Sequence, residues 1–463
     1  MTSIKSNSDA ELMLAKFARG AEYDALPPNV VELSKMVLLD TIGVMLAATT
    51  LEKAVVPVVN LVKEAGGSAE SSIIGFGGKA PCWMAAFANG SLSHALDYSS
   101  SDDRGVAPGG VTVPSALAMA ERISGINGKQ LITAITAGNE VLMRIGGAIT
   151  HNPMDFGWVS PMLLGVFGSA VAAGKIAGLD NKQMADAMGI ALHQAGGTWE
   201  MAEDPSSTFR AVRNSFVNKA GVLAALMAQK GFSAAKNPLE GKNGLYHQYF
   251  QGNYDPSVLV NGLGSEFRCA NVSFKPYPSC RGTHTSIDAA LKLAKKYDII
   301  PEEIEEIQLT VGPTGEKQCI PPEQRSQPQT SIEAKFSLPF TVAIAVAQRK
   351  VTLVDFTTSK IRDPMIINLA QRVKYQVKQG SAGLDPGIVD IRLKDGRVLH
   401  EEVAIPSGNP KNPLSPKDLI EKFRDCANYS VKPLGKPDVE AIVGYVTNLE
   451  NQANLSELFK LIS

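Results

Sequence analysis

Through the first 265 positions apolar residues recur at spacings of three and four, the mark of helices that bury one face. The pattern predicts helices over residues 9–19, 29–51, 55–65, 80–96, 113–123, 128–149, 161–178, 181–195 and 216–231. Pro27 and Pro28 stop the first and prime the second. Residues 71–76 (SSIIGF) are too short for a helix and read as a lone strand or an extended link. Runs of small residues such as Ser169-Ala170-Val171-Ala172-Ala173-Gly174 let helices approach closely, which points to an interior bundle rather than an exposed solenoid. No fixed-period repeat is present.

After about residue 258 the texture changes. Residues 304–312 (IEEIQLTVG) and 388–393 (IVDIRL) alternate polar and apolar, as strands do, and Asp395-Gly396 ahead of 398–404 signals a hairpin. Helical patterns at 285–297, 340–348 and 364–374 flank them. Residues 267–402 therefore form an α+β unit inserted into a helical chain. Pro406, Pro410, Pro413 and Pro416 mark the crossing back, and from Lys417 the tail is helical again and returns to the first bundle.

Composition narrows the function classes. With 463 residues the chain has room for two or three domains, and a net charge of −1 gives no electrostatic footprint for nucleic acid or an acidic membrane. The five cysteines (Cys82, Cys269, Cys280, Cys319, Cys426) are odd in number and include no CxxC pair. That argues against a disulfide framework or a zinc site and fits a reducing cytoplasm. The start, MTSIKSNSDAEL, has no apolar core, and no apolar run reaches the roughly 18 residues of a membrane span, so a cytoplasmic protein is expected. Gly75-Phe76-Gly77-Gly78 lacks the G-x-G-x-x-G spacing and no Walker lysine follows, which excludes the common nucleotide-binding loops.

The densest chemistry lies in FKPYPSCRGTH, residues 274–284. Pro276 and Pro278 keep this segment extended, and Lys275, Tyr277, Ser279, Cys280, Arg281, Thr283 and His284 are packed into it just ahead of a helix. Cations and hydroxyls so placed suit a carboxylate or phosphate; the same residues also describe a surface turn with satisfied charges.

The stretch from Asn89 to Tyr98 (NGSLSHALDY) resembles the N-G-x-x-x-H-A-x-D-[FY] segment of the MmgE/PrpD family, which includes 2-methylcitrate dehydratase, cis-aconitate decarboxylase and iminodisuccinate epimerase. The likeness recurs at residues 157–168, 219–232, the Lys275 loop and Glu333-Ala334-Lys335-Phe336-Ser337, in order along nearly the whole chain. It implies a mainly α fold with an α+β part: a large all-helical domain built from both chain ends (1–266 and 403–463) and a smaller α+β lid domain (267–402). It further implies a site in the cleft between them, a homodimer, and no metal or organic cofactor. The chemistry implied is proton transfer beside a carboxylate, with loss of water or carbon dioxide or with re-protonation on the other face. Such a site needs cations for the carboxylates, a base for the proton, and an acid for the leaving group or carbanion.

Carried over residue by residue, Asp97 matches the first aspartate of a D-[FY]-D-D-T segment, with Ser99, Ser100 and Ser101 in place of Asp, Asp and Thr. Asp102, Asp103 and Arg104 follow; either the lost acid has slid along the loop or these are solvated charges. Ala107 and Val159 stand where the family has histidines, which suggests a different or less highly charged substrate. A family lysine position reads Arg210 to Arg213; arginine holds charge but cannot act as a base. Lys275, Tyr277, Cys280, Arg281 and His284 fall on the lid-side polar positions. Cys280 is either an acid or base with a shifted pKa or a small buried residue, and His284 either meets substrate or lines the next helix. His94 and Asp97, three apart on a helix, are expected to share a face as a hydrogen-bonded pair. His193, at a glycine-rich break, either replaces a missing imidazole or sits satisfied in the core. The expected catalytic set is thus Asp97, Lys275, Cys280, His94 and His193. The expected substrate-binding set is Ser101, Arg104, Arg210, Arg213, Tyr277, Arg281 and His284, with no metal ligand. The activity implied is that of a cofactor-independent lyase, a dehydratase or decarboxylase, on a small carboxylic acid. An epimerase or isomerase with the same carbanion chemistry, or a catalytically diminished carboxylate binder, is the alternative.

Overall fold

The computed structural model describes residues 10–103, 106–204, 207–378 and 384–463. Its centre is the helix Pro28–Leu51, which is apolar on nearly every side and buried over most of its length, as a helix surrounded by others must be. Cys82–His94, Pro108–Ile123 and Gly128–Gly147 pack against it, and Ser160–Ile176 and Asn214–Gln229 pack on those helices and on each other as the next layer. The C-terminal helices Pro416–Ala427 and Lys436–Thr447 return to lie against the same central helix.

Three elements depart from the sequence pattern, each for a physical reason. The helix expected to begin at residue 113 begins at Pro108 and runs through Pro114. Proline at 114 cannot bond the carbonyl of Gly110, but that oxygen accepts instead from Ser93 Oγ at 2.7 Å and Asn218 Nδ2 at 3.1 Å, so the break is repaired by side chains. The helix expected over 364–374 stops at Ala370, and Val373–Val377 becomes an edge strand, because pairing with its neighbour outweighs local helical periodicity. Ser71–Ser72 is not a lone strand; it pairs antiparallel with Lys79–Ala80.

Naming the strands in chain order, β1 is Ser71–Ser72, β2 Lys79–Ala80, β3 Ile304–Val311, β4 Val373–Val377, β5 Gly387–Leu393 and β6 Val398–Val403. The last four form one sheet in the order β4-β3-β5-β6, parallel between β3 and β4 and antiparallel elsewhere. The fold is thus mainly helical with a smaller α+β part. The helix His284–Lys296 covers β5 and β6, with Leu338–Gln348 beside it.

Apolar side chains gather in two main cores. One draws on residues from Ala10 to Phe274 and from Leu419 to Ile462, with Leu353 added from the α+β part. The other runs from Ile287 to Val403, with Tyr277 packed on its edge. Phe274 thus belongs to the first core and Tyr277 touches the second, which leaves Lys275 at the changeover. Among the described residues no single helix is long and apolar enough to cross a membrane.

Candidate active site

The helix Cys82–His94 ends two residues earlier than its apolar pattern suggests. Asp97 N–H closes on the His94 carbonyl at 2.7 Å, and Asp97 takes a left-handed backbone (φ +49°), a conformation aspartate accepts more readily than most side chains. The turn lays the chain alongside the Lys275 loop: Ser101 and Ser273 exchange backbone hydrogen bonds at 2.9 and 2.6 Å. Behind the loop, Phe274 N–H donates to the Gly408 carbonyl at 2.9 Å. Gly408 is itself left-handed (φ +81°), and a Cβ there would lie 1.8 Å from the Phe274 oxygen, so only glycine fits.

Lys275 spends its whole donor set inside the protein. Its ammonium bonds the Asp97 carbonyl at 2.8 Å, the Asp97 carboxylate at 2.9 Å and the Ser279 carbonyl at 3.0 Å. Other groups of the loop are similarly engaged. Tyr277 donates to Asp288 at 2.6 Å, and burial first, then the Asp288 charge and this bond, raise its phenol pKa. Arg281 bonds Asp103 at 2.9 Å and the Ser407 carbonyl at 2.8 Å. Asp103 also accepts from Ser273 and Asn409, so it clamps the loop rather than lying solvated. His284 takes a bond from Arg281 at 3.2 Å on Nδ1 and faces the Ser279 carbonyl through Nε2 at 3.3 Å.

The helical side is organised differently. Among the described residues, His94 Nε2, Asp97 Oδ2, Arg210 Nε and Arg213 Nε are buried without a hydrogen-bond partner. His94 Nδ1 lies 3.9 Å from Asp97 Oδ1, too far for the expected hydrogen bond, because the helix has already ended and the turn carries Asp97 off the shared face. Arg210 stacks on Phe336, its guanidinium carbon 3.4 Å from the ring centre. Lys335, buried, reaches the Ala95 carbonyl at 3.3 Å and Glu52 at 4.0 Å.

Charge in this cluster is unbalanced. Arg210, Arg213, Lys275 and Lys335 surround one carboxylate, Asp97, with Glu52 farther off. Burial first, then these four cations, hold His94 well below the usual histidine range, so its imidazole is neutral at pH 7. Burial lowers Lys335, and it draws both arginines down to about 10, which still leaves them charged. Cys280 keeps some accessible surface but sits among these groups. Burial and then Asp97 push its thiol up, against the pull of Lys275 and Arg210, so it is a proton carrier rather than a thiolate.

The structure therefore brings together His94, Asp97, Lys275, Cys280, Arg210 and Arg213, with Ser101 buried beside them and its hydroxyl unpartnered among the described residues. His193 stays out: it is exposed at the end of the helix Asn181–Leu192, where the glycine break turns the chain away. Arg104 lies outside the described residues. Lys335 escaped the sequence reading, although it lies within the Glu333–Ser337 likeness. In that segment Glu333 is consumed by a capping box with Thr330, and the Lys335 carbonyl holds Cys280 N–H at 2.9 Å.

A narrow cleft lined by Asp204, Ser207, Arg325, Glu333 and Phe336 meets this cluster at Arg210. A larger cavity of about 410 Å³ lies beside Met162, Gly197, Phe209 and Phe216, and no titratable group among the described residues lines it. Among the described residues no three His, Cys, Asp or Glu side chains gather as a metal site.

The profile of the MmgE/PrpD N-terminal domain matches residues 13–257 and that of the MmgE/PrpD C-terminal domain residues 277–443. The chain is 27% identical to cis-aconitate decarboxylase of Aspergillus terreus, with 100% of this chain and 97% of that protein covered. It is 28% identical to the human cis-aconitate decarboxylase, covering 96% and 92%, and 27% identical to the mouse enzyme, covering 97% and 92%.

Proposed function

The chain belongs to the MmgE/PrpD family, and on that premise we propose that it is a lyase or isomerase that moves a proton beside a carboxylate of a small carboxylic acid. The observation that carries this reading is the surplus of buried cations around Asp97, with polar atoms on His94, Arg210 and Arg213 still unpaired. Buried charges of one sign are costly unless something offsets them, and a bound carboxylate would do so.

Roles follow from protonation state. Arg210, Arg213 and Lys335 bind carboxylates and stabilise the negative charge that develops when the neighbouring C–H bond breaks. Neutral His94 is the base, with Nε2 as the acceptor and Asp97 oriented toward the opposite ring nitrogen. Once an anion offsets the cations, His94 binds a proton more readily, so its basicity rises when substrate is in place. Cys280, protonated, is the acid for the leaving group or for the other face of the carbanion. Lys275 holds Asp97 in register. With Lys275 already paired to Asp97, the three cations Arg210, Arg213 and Lys335 favour a substrate with at least two carboxylates, against the less charged substrate that Ala107 and Val159 suggest alone. Dehydration and decarboxylation are the leading reactions: in the first His94 takes the proton and the carbanion expels water, and in the second loss of carbon dioxide leaves its electron pair on carbon and Cys280 protonates the carbanion so formed, with epimerisation the alternative.

Proton NMR in deuterated buffer, with a panel of small 2-hydroxy, unsaturated and amino di- and tricarboxylates, tests this. Protein-dependent deuterium entry beside a carboxylate, or loss of water or carbon dioxide, is the expected result. Saturable binding with no exchange on any member would make the chain a carboxylate binder instead.

A further inference from the structure

Away from the reacting groups, one buried charge pair touches both loops of the site. Asp40 lies in the middle of the central helix Pro28–Leu51 and Lys422 in the C-terminal helix Pro416–Ala427, and both side chains are almost wholly buried. The two helices approach closely there: a Cβ at Gly43, one turn from Asp40, would lie 3.0 Å from the Phe423 ring. That approach brings the Lys422 ammonium 2.6 Å from Asp40 Oδ1.

An ammonium has three donors, and the other two go to the active-site loops. One reaches the Tyr98 carbonyl at 2.7 Å, next to Asp97; the other reaches the Lys275 carbonyl at 2.9 Å. The Tyr98 ring covers the ammonium, its centre 3.7 Å away. Asp40 Oδ2 accepts Ser100 N–H at 3.0 Å, a second hold on the Asp97 loop. Four segments distant in sequence thus meet at one point, and two of them carry the groups that face each other across the site.

We propose that Lys422, anchored on Asp40, is a positioning residue that sets the separation of the Asp97 loop from the Lys275 loop and so the geometry of proton transfer. This rests on the reaction proposed above. A purely structural pair would lend stability and nothing else; a positioning pair also fixes where Asp97 and Lys275 stand relative to His94. An exposed-looking lysine in PKDLIEKFRDCA gives no hint of this in the sequence, since it differs from its neighbours only in facing the helix that carries Asp40.

The double variant Asp40→Asn/Lys422→Met separates the two roles, because it removes both charges and leaves neither buried alone. Urea midpoints, kcat and KM on a panel substrate, and the imidazole NMR titration of His94 would be measured in it and in the single variant Lys422→Met. The single variant is expected to lose stability and about ten- to a hundredfold in kcat. The double variant should regain stability but not kcat, with KM within about threefold of the parent, as misplacement rather than lost binding requires. The His94 titration should move upward in both, since a displaced Lys275 no longer acts on the imidazole at its present distance. A double variant with parental kcat and parental His94 titration would overturn the proposal. If no panel member reacts even with the parent protein, the His94 titration alone decides it in the same two directions. Should the double variant not fold, Lys422→Gln, which keeps donors but not charge, must still lower kcat or shift His94; parental values for both would overturn the proposal.

Discussion

The two sides of the site are about equally rich in polar residues and use them in opposite ways. On the Lys275 loop, Lys275, Tyr277, Arg281 and His284 are bonded to carbonyls, to Asp288, to Asp103 and to one another. On the helical side, His94, Asp97, Arg210 and Arg213 each keep a buried atom unpaired among the described residues. The exception on the loop is Arg281 Nη2, which is also unpartnered there. A polar residue near a site is therefore not evidence of contact with substrate. Partners already made hold a loop in shape, and partners still lacking leave an atom for chemistry.

The largest effect expected on the loop side is structural. Gly408→Ala forces a Cβ onto the Phe274 carbonyl at a left-handed backbone and should cost about 3 kcal/mol or more in urea unfolding. A loss below about 1 kcal/mol would mean the loop is not held there. On the helical side the balance reverses. Arg213→Met removes a buried, under-bonded cation, so stability should hold or rise, while KM for a carboxylate substrate rises about ten- to a hundredfold. Unchanged KM with lost stability would assign Arg213 to the structural side.

The histidines extend the comparison to pH. Both His94 and His284 lie well below the usual range in the fold, through burial first and neighbouring cations second. In the unfolded chain each takes up a proton near pH 6.5 that the folded chain refuses. Stability should therefore be independent of these groups well above pH 6.5. It should fall as pH drops below that value, by about 1.4 kcal/mol per pH unit for each histidine until its folded pKa is reached. A saturating carboxylate should shrink the His94 contribution and leave that of His284, which urea midpoints of His94→Asn and His284→Asn with and without ligand would resolve.

Much of the fold was legible from spacing alone, because helices that bury one face must repeat at three and four residues. What spacing could not give were interactions between distant segments. The helix through Pro114 survives because Ser93 and Asn218 serve the Gly110 carbonyl, and β4 exists because β3 lies beside it. The site divides in the same way. The family likeness pointed to His94, Asp97, Lys275 and Cys280, which do meet, but residue type does not reveal how many bonds a side chain already makes. Nothing in the sequence says that Tyr277 is bonded to Asp288 and Arg281 to Asp103, and nothing there singles out Lys335, Asp40 or Lys422. His193 was placed at the site by its glycine break, yet that break carries the chain outward.

One paired measurement tests the division directly: kcat for proton exchange in deuterated buffer by His94→Asn and Tyr277→Phe, with the same substrate and at equal folded fraction. His94→Asn should lose about a hundredfold or more, as removal of a general base does. Tyr277→Phe should stay within about threefold while losing about 1 kcal/mol of stability, the worth of one hydrogen bond. A large loss of kcat in Tyr277→Phe, with His94→Asn near the parent rate, would contradict the account and place the chemistry on the loop.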